Sequence, residues 1–407
     1  MTAPTAPAAP AAPTTLVRNI GTLVTGDLAR PVADADSLLL REGLVAEVGT
    51  SATSADVDRV IDAQGATVAP GLIDSHCHVV LADYTPRQQT AGFLASYVHG
   101  GITSVISPGE IHLPGRPTDA VGVKALAVVA QRSWSAYRPG GMKVNGGSVV
   151  LEPVLTDADL VELAAAGVRW AKYGFGRYAD PAEGLPQVRG AQRAGIVVTC
   201  HSGGASIPGS KPITTDHLLL LRPDVAGHLN GGTTSLDPAG LATIVAETDM
   251  ALQIVQAGNL RSALELVDLA REHGAEHRVV LGSDTPTGTG VIPLAILKTV
   301  AELSSLGGVD PAVAWAWATG TVSAVYGLAA GVLAPGRPAD LLVLDTPWGG
   351  LAPDAVGALA RGDIPGISAV VIDGEIRALT SRNTVAAARS AVVSPPVPTP
   401  AGSAHVC

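Results

Sequence analysis

Residues 68–80 read VAPGLIDSHCHVV, an apolar run that opens on Pro70-Gly71 and ends on His76 and His78. Seven further runs of the same kind follow: GITSVIS (101–107), MKVNGGSVVL (142–151), VRWAKYGFG (168–176), GIVVTCHSGG (195–204), DVAGHLNGG (224–232), MALQIVQAGN (250–259) and RVVLGSDTP (278–286). Each contains β-branched or other apolar residues, and most lead into Gly or turn residues, the pattern of a buried parallel strand. Between most of them lie stretches of helical period. One is TDADLVELAAAG (156–167), with Thr156 as N-cap and Asp159 three residues later; another is GNLRSALELVDLAREHG (258–274). Eight strand–helix units over residues 71–329 predict a (β/α)8 TIM barrel, which typically takes about 250 residues. An open doubly wound α/β sheet is the structural alternative.

Outward from the barrel the texture changes. NIGTLVTG (19–26), DSLLLREGLVAEVG (36–49) and RVIDAQGATVAPG (59–71) alternate apolar and polar residues between Gly and Asp breaks, which predicts antiparallel strands. GVLAPGRPADLLVLD (331–345) and GISAVVIDGEIR (366–377) repeat that texture, so residues 16–70 and 330–382 are expected to form one small β-sandwich domain. Residues 1–15, nearly all Ala, Pro and Thr, and residues 383–407 read as disordered tails; the first lacks the basic start and Pro-free apolar stretch of a secretory signal.

Composition narrows the function. The 407 residues carry 26 Lys+Arg against 36 Asp+Glu, a net charge of −10, with no basic cluster, so nucleic-acid and anionic-membrane partners are excluded. No apolar run is long enough to span a bilayer. The three cysteines, Cys77, Cys200 and Cys407, cannot build a disulfide framework and fit a reducing cytoplasm.

The chemistry-bearing residues fall at equivalent places. His76 and His78, two apart, share one face of the first strand. Lys172 lies on the fourth, His201 ends the fifth, His228 the sixth and Asp284 the eighth. All stand at the C-terminal mouth, where barrel enzymes build their sites. Neutral imidazoles with a carboxylate suit zinc or a similar divalent ion, and Asp284 can serve as proton carrier. Lysine is the cation whose proton is lost most readily on burial, and its free amine can take up carbon dioxide as a carbamate.

These strings resemble the amidohydrolase superfamily: VAPGLIDSHCHVV matches its first-strand motif, and His201, His228 and Asp284 match its later metal and base positions. Segments such as DYTPRQQT (83–90), HSGGASIPGS (201–210), SDTPTGTGVIPL (283–294) and ATGTVSAVYGL (318–328) make the likeness closer to the enamidase branch, ring-opening hydrolases of 6-oxotetrahydronicotinate. The resemblance implies two divalent metal ions, zinc foremost and iron or manganese as options. His76, His78 and Asp284 would hold the first, His201 and His228 the second, with Lys172 bridging. Enamidase bridges with Glu at that position, whereas dihydroorotase- and hydantoinase-like members use a carboxylated Lys. The reaction implied is hydrolysis of a C–N bond in a small cyclic amide or enamide by metal-bridging hydroxide, by a homo-oligomer (tetramer or dimer). The alternatives are a mononuclear deaminase or imidazolone-type hydrolase, with Lys172 as a plain ammonium, and a non-catalytic barrel-retaining binding protein.

Secondary signals are weaker. His112, Arg116 and Asn145 are candidate substrate contacts, Arg116 because guanidinium suits a carboxylate. GFGRYA (174–179) matches a dinucleotide fingerprint but lacks the acidic residue about twenty positions on. Cys77 and Cys200 are expected to be buried hydrophobes, and His99, His217, His273 and His277 surface residues. No G-x-S-x-G elbow occurs.

Overall fold

The computed structural model describes residues 12–79, 84–85, 90–109, 115–207, 209–231, 235–286 and 290–395. The first barrel strand, Leu72–Asp74, pairs in parallel with the second, Ile102–Ile106, and that with Lys143–Asn145. The third position is split. Gly146 and Gly147 break the strand, Gly147 at φ +91°, and Val149–Val150 resumes it on the other side. From there the parallel order runs through Trp170–Tyr173, Val197–Cys200, Val225–Ala226, Ala251–Val255 and Val279–Gly282. The eighth strand returns to the first through Ser75 N to Leu281 O (3.2 Å), Asp284 N to His76 O (2.8 Å) and a parallel bridge between Cys77 and Thr285. The sheet therefore closes, and the open-sheet alternative falls away.

Helices fill the connections as their sequences dictate. Thr156 caps Asp157–Ala165 reciprocally with Asp159, and Asn259 caps Leu260–Glu272. Ile73, Ile106, Trp170, Val225, Ala251 and Val280 meet Val322, Tyr326 and Ala330 in one apolar cluster inside the barrel. Trp170 belongs to this floor, and Lys172, two residues on, faces the same interior. A dry floor lowers the local dielectric around the polar layer above it.

Outside the barrel two sheets stack. One has the strand order Val392–Ser394, Arg59–Asp62, Thr15–Arg18, Leu38–Arg41, Leu44–Val48; the other runs Glu375–Leu379, Gly366–Ile372, Leu341–Asp345, Thr67–Pro70, Thr22–Val24, Val32–Ala33. Val17, Leu38, Ile61, Val68, Leu341, Val343 and Val371 fill the space between them. Leu342, Leu344 and Val370 face the other way, into the barrel's core cluster. That double burial accounts for the unbroken apolar run LLVL (341–344).

Two expectations change. The N-terminal sheets are mixed, since Thr15–Arg18 pairs in parallel with Arg59–Asp62, and Thr22–Val24 with Thr67–Pro70. The C-terminal segment is built into the fold as far as residue 395. Asn383 donates to the Ser96 carbonyl (2.7 Å), Arg389 pairs with Asp345 (2.7 Å) and Val392–Ser394 extends the first sheet. Its Ala- and Pro-rich composition hid these partners, which lie far away in sequence.

Candidate metal centre

The regular first strand stops at Asp74, whose buried carboxylate accepts from the backbone of His76 (3.0 Å) and Ser283 (2.8 Å). This ties the exits of the first and eighth strands together. His78 Nε2 then reaches Asp284 Oδ1 at 2.8 Å and His76 Nε2 reaches it at 3.4 Å. One donor atom from each of the three residues lies within 4.8 Å of the others. On the other side, His201 Nδ1 faces His228 Nε2 at 3.0 Å, and His201 Nε2 donates to Gly204 O at 2.7 Å. The two groups adjoin, with the His76 and His228 ring centroids 5.5 Å apart. Non-glycine residues in the left-handed backbone region mark two of the corners: His228 at φ 35° and Asp284 at φ 57°.

Lys172 completes the layer. It is 2% exposed, and its Nζ lies 5.6 Å from the Phe175 ring centroid. Burial brings its pKa down to about 8, against the opposing pull of Asp284. Burial first, then the Lys172 charge, holds His76 well below the imidazole range and brings His201 to about 4; burial and His201 depress His228. Burial pushes the Asp284 carboxyl upward, but its contacts with the imidazoles of His76, His78 and His228, the His78 hydrogen bond among them, outweigh it and hold the group well below the usual carboxylate range. Neutral imidazoles beside an anionic carboxylate are the protonation states that divalent ions require.

The residues fit such an ion. Besides the three converging donors, His228 Nδ1 is buried without a hydrogen-bond partner, a state that proteins rarely leave uncompensated. The six residues expected at the mouth are thus brought into one layer.

The substrate candidates fare differently. His112 lies outside the described residues. Arg116 is not open to a ligand carboxylate: it pairs with the buried Glu152 and donates to Phe175 O at 2.6 Å. Glu152 in turn accepts from Arg177 N at 2.7 Å. Arg116 thereby fastens the loop after the fourth strand, which sets Phe175 against His201 with ring centroids 5.2 Å apart. Asn145 donates to Ser104 Oγ and Val105 O, each at 3.0 Å, within the barrel wall.

Gly174–Ala179 is this same loop. The next α-helix begins only at Leu185, so no helix N-terminus stands ready for a phosphate. Cys77 and Cys200 are buried, and burial pushes the Cys200 thiol up to about 12. His273 and His277 are exposed, whereas His99 and His217 are half-buried, His217 within a capping box with Thr214. Gln253 and Glu152 escaped the sequence reading. Each is a lone polar residue in or beside an apolar run, ALQIV and VVLE, and that isolation was the available signal.

Residues 67–377 match the profile of the amidohydrolase family. The chain is 46% identical over 383 residues to an enamidase of Eubacterium barkeri, covering 93% of this chain and 99% of the relative. An imidazolonepropionase of Salinispora arenicola is 27% identical over 381 residues, covering 82% and 92%. A crystal structure of enamidase superposes with TM-score 0.89 at 46% identity, over 93% of this chain and 100% of that one. The L-hydantoinase of Arthrobacter aurescens aligns with TM-score 0.64 at 17% identity over 89% and 95%, a likeness of fold alone. Among the described residues no helix is long and apolar enough to cross a membrane.

Proposed function

The chain belongs to the amidohydrolase family, and on that footing we propose that it is a metal-dependent hydrolase of a cyclic enamide or related cyclic amide. The observation that carries this reading is the convergence of His76, His78 and Asp284 donor atoms within 4.8 Å at the mouth of the barrel. In the proposal these three residues hold one divalent ion, zinc foremost. His201 and His228 would hold a second, and Lys172, as a carbamate, would supply an anionic ligand beside them. When bound, such ions acidify a coordinated water toward a pKa of about 7 and polarise a carbonyl oxygen.

The chain's own residues supply the rest. Asp284, anionic and 25% exposed, accepts the proton of the attacking water and returns it to the ring nitrogen as the C–N bond breaks. The products are a carboxylate and an enamine nitrogen. Phe175, packed on His201, covers one side of the layer and excludes water from Lys172. The dry floor around Trp170 strengthens each charge interaction above it. The family likeness also supports a homo-oligomer, which sedimentation of the purified protein tests.

Elemental analysis of the purified protein, with a ring-opening assay on cyclic enamides, amides and hydantoins before and after chelation, tests the proposal. It expects two equivalents of metal and turnover that vanishes with chelator and returns with zinc. Full turnover by metal-free protein overturns it. A second reading, a single-metal centre with Lys172 as ammonium, is favoured by the direct 3.0 Å contact between His201 and His228, and one equivalent of metal would select it.

A further inference from the structure

Gln253 sits in the middle of the seventh barrel strand, between apolar neighbours, with its side chain fully buried (0%). Its amide oxygen accepts from His76 Nδ1 at 2.7 Å and from the backbone N of His228 at 3.1 Å. Its amide nitrogen donates to Ser75 Oγ at 2.9 Å and toward Tyr326 Oη at 3.4 Å. The backbone carbonyl of Gln253 accepts from Leu229 N at 2.9 Å. One residue therefore grips the side chain of one candidate ligand and two consecutive backbone N–H groups at another.

The network fixes which amide atom is which. A backbone N–H can only donate, so the atom facing His228 N is the oxygen. The same oxygen faces His76 Nδ1, which must then carry the proton. His76 Nε2 is left with its lone pair, directed at the His78–Asp284 group. At His228 the backbone stands at φ 35°, a conformation that L-residues adopt only at a cost. Capture of the N–H groups of residues 228 and 229 offsets that cost and aims the imidazole at His201.

We propose that Gln253 is a positioning residue that couples the two halves of the metal centre. Through its side-chain oxygen it sets the tautomer of His76 and the backbone turn that presents His228, so that each half depends on the same amide. This rests on the metal-dependent reading above, and on that reading the loss of such a partner weakens metal affinity by about 10- to 100-fold.

The test is titration of chelator-treated protein with cobalt(II), read from its visible absorption, so that each equivalent is resolved without an activity measurement. Wild type, Gln253→Leu and Gln253→Glu are compared. Gln253→Leu removes both acceptor bonds and is expected to weaken both equivalents at least tenfold. Gln253→Glu keeps an oxygen facing both donors and is expected to bind both within about threefold of wild type. Should Gln253→Leu not fold, Gln253→Asn, which withdraws the amide by one methylene, is expected to give the same double loss. Wild-type binding with unaltered affinities in the Leu or Asn variant overturns the inference while leaving the metal reading intact. So does loss confined to one equivalent, because it breaks the coupling. Failure of wild type to bind cobalt at all overturns the metal reading itself.

Discussion

Lys172 provides a quantitative check on the electrostatics of the site. Its ammonium is 2% exposed, and its pKa falls from 10.5 to about 8 in the fold. A drop of that size corresponds to roughly 3 kcal/mol of differential cost for the charged form, with no discount for solvent screening at this burial. The sign follows from linkage. Between pH 8 and 10.5 the unfolded chain binds more protons than the folded one, so stability rises with pH across that window. Below the folded value the penalty is present in full; above the unfolded value it is gone.

Lys172→Met retains a flexible stem of similar length and removes the titrating group. In chelator-treated protein kept free of carbon dioxide, the variant is expected to be more stable than wild type at pH 7 by up to about 3 kcal/mol. The gain should shrink steadily above pH 8 and vanish near 10.5. Urea unfolding of both proteins between pH 7 and 10.5 measures it, since the titrating groups that Lys172 does not touch cancel in the difference. A variant that is no more stable at pH 7, or a difference that ignores pH, would refute the argument that burial holds this lysine near its uncharged state.

The remaining expectations concern the same layer. Replacing His76 and His78 together with Ala should abolish turnover and release metal while the far-ultraviolet circular dichroism stays unchanged; retained activity after chelation would count against both residues. Asp284→Asn keeps an oxygen in place but removes the proton carrier, so kcat should fall at least 10²-fold, and near-normal kcat would take Asp284 out of that role. Lys172→Ala should lose one metal equivalent by elemental analysis, with Lys172→Glu retaining two; equal content in both variants would show that the side chain bridges nothing.

The barrel and the polar layer at its mouth were legible because each depends on local pattern. An apolar run must be buried, and a polar residue at its C-terminal end must emerge at the mouth, so His76, His201, His228 and Asp284 could be placed one strand at a time. What stayed hidden depends on partners that only the closed fold supplies. Arg116 looked like a ligand's counter-ion until Glu152, on another strand exit, was seen to neutralise it. Residues 383–395 looked structureless because the partners of Arg389 and Val392–Ser394 lie at Asp345 and at Arg59–Asp62.

Gln253 shows where that boundary falls. A carboxamide inside ALQIV cannot be buried without partners, so its mere presence signals a hydrogen-bond network in the barrel interior. Alternation places it on the same face as Ala251, which belongs to the floor. The identity of its partner is another matter. His76 is 177 residues away in sequence, and it reaches the amide because the eighth strand closes onto the first. An open sheet would leave that closure unmade and Gln253 without the imidazole. Closure of the barrel is thus a condition for the His76 tautomer, and the tautomer is a condition for a donor set that can hold an ion. The chemistry of the mouth rests on the topology of the wall.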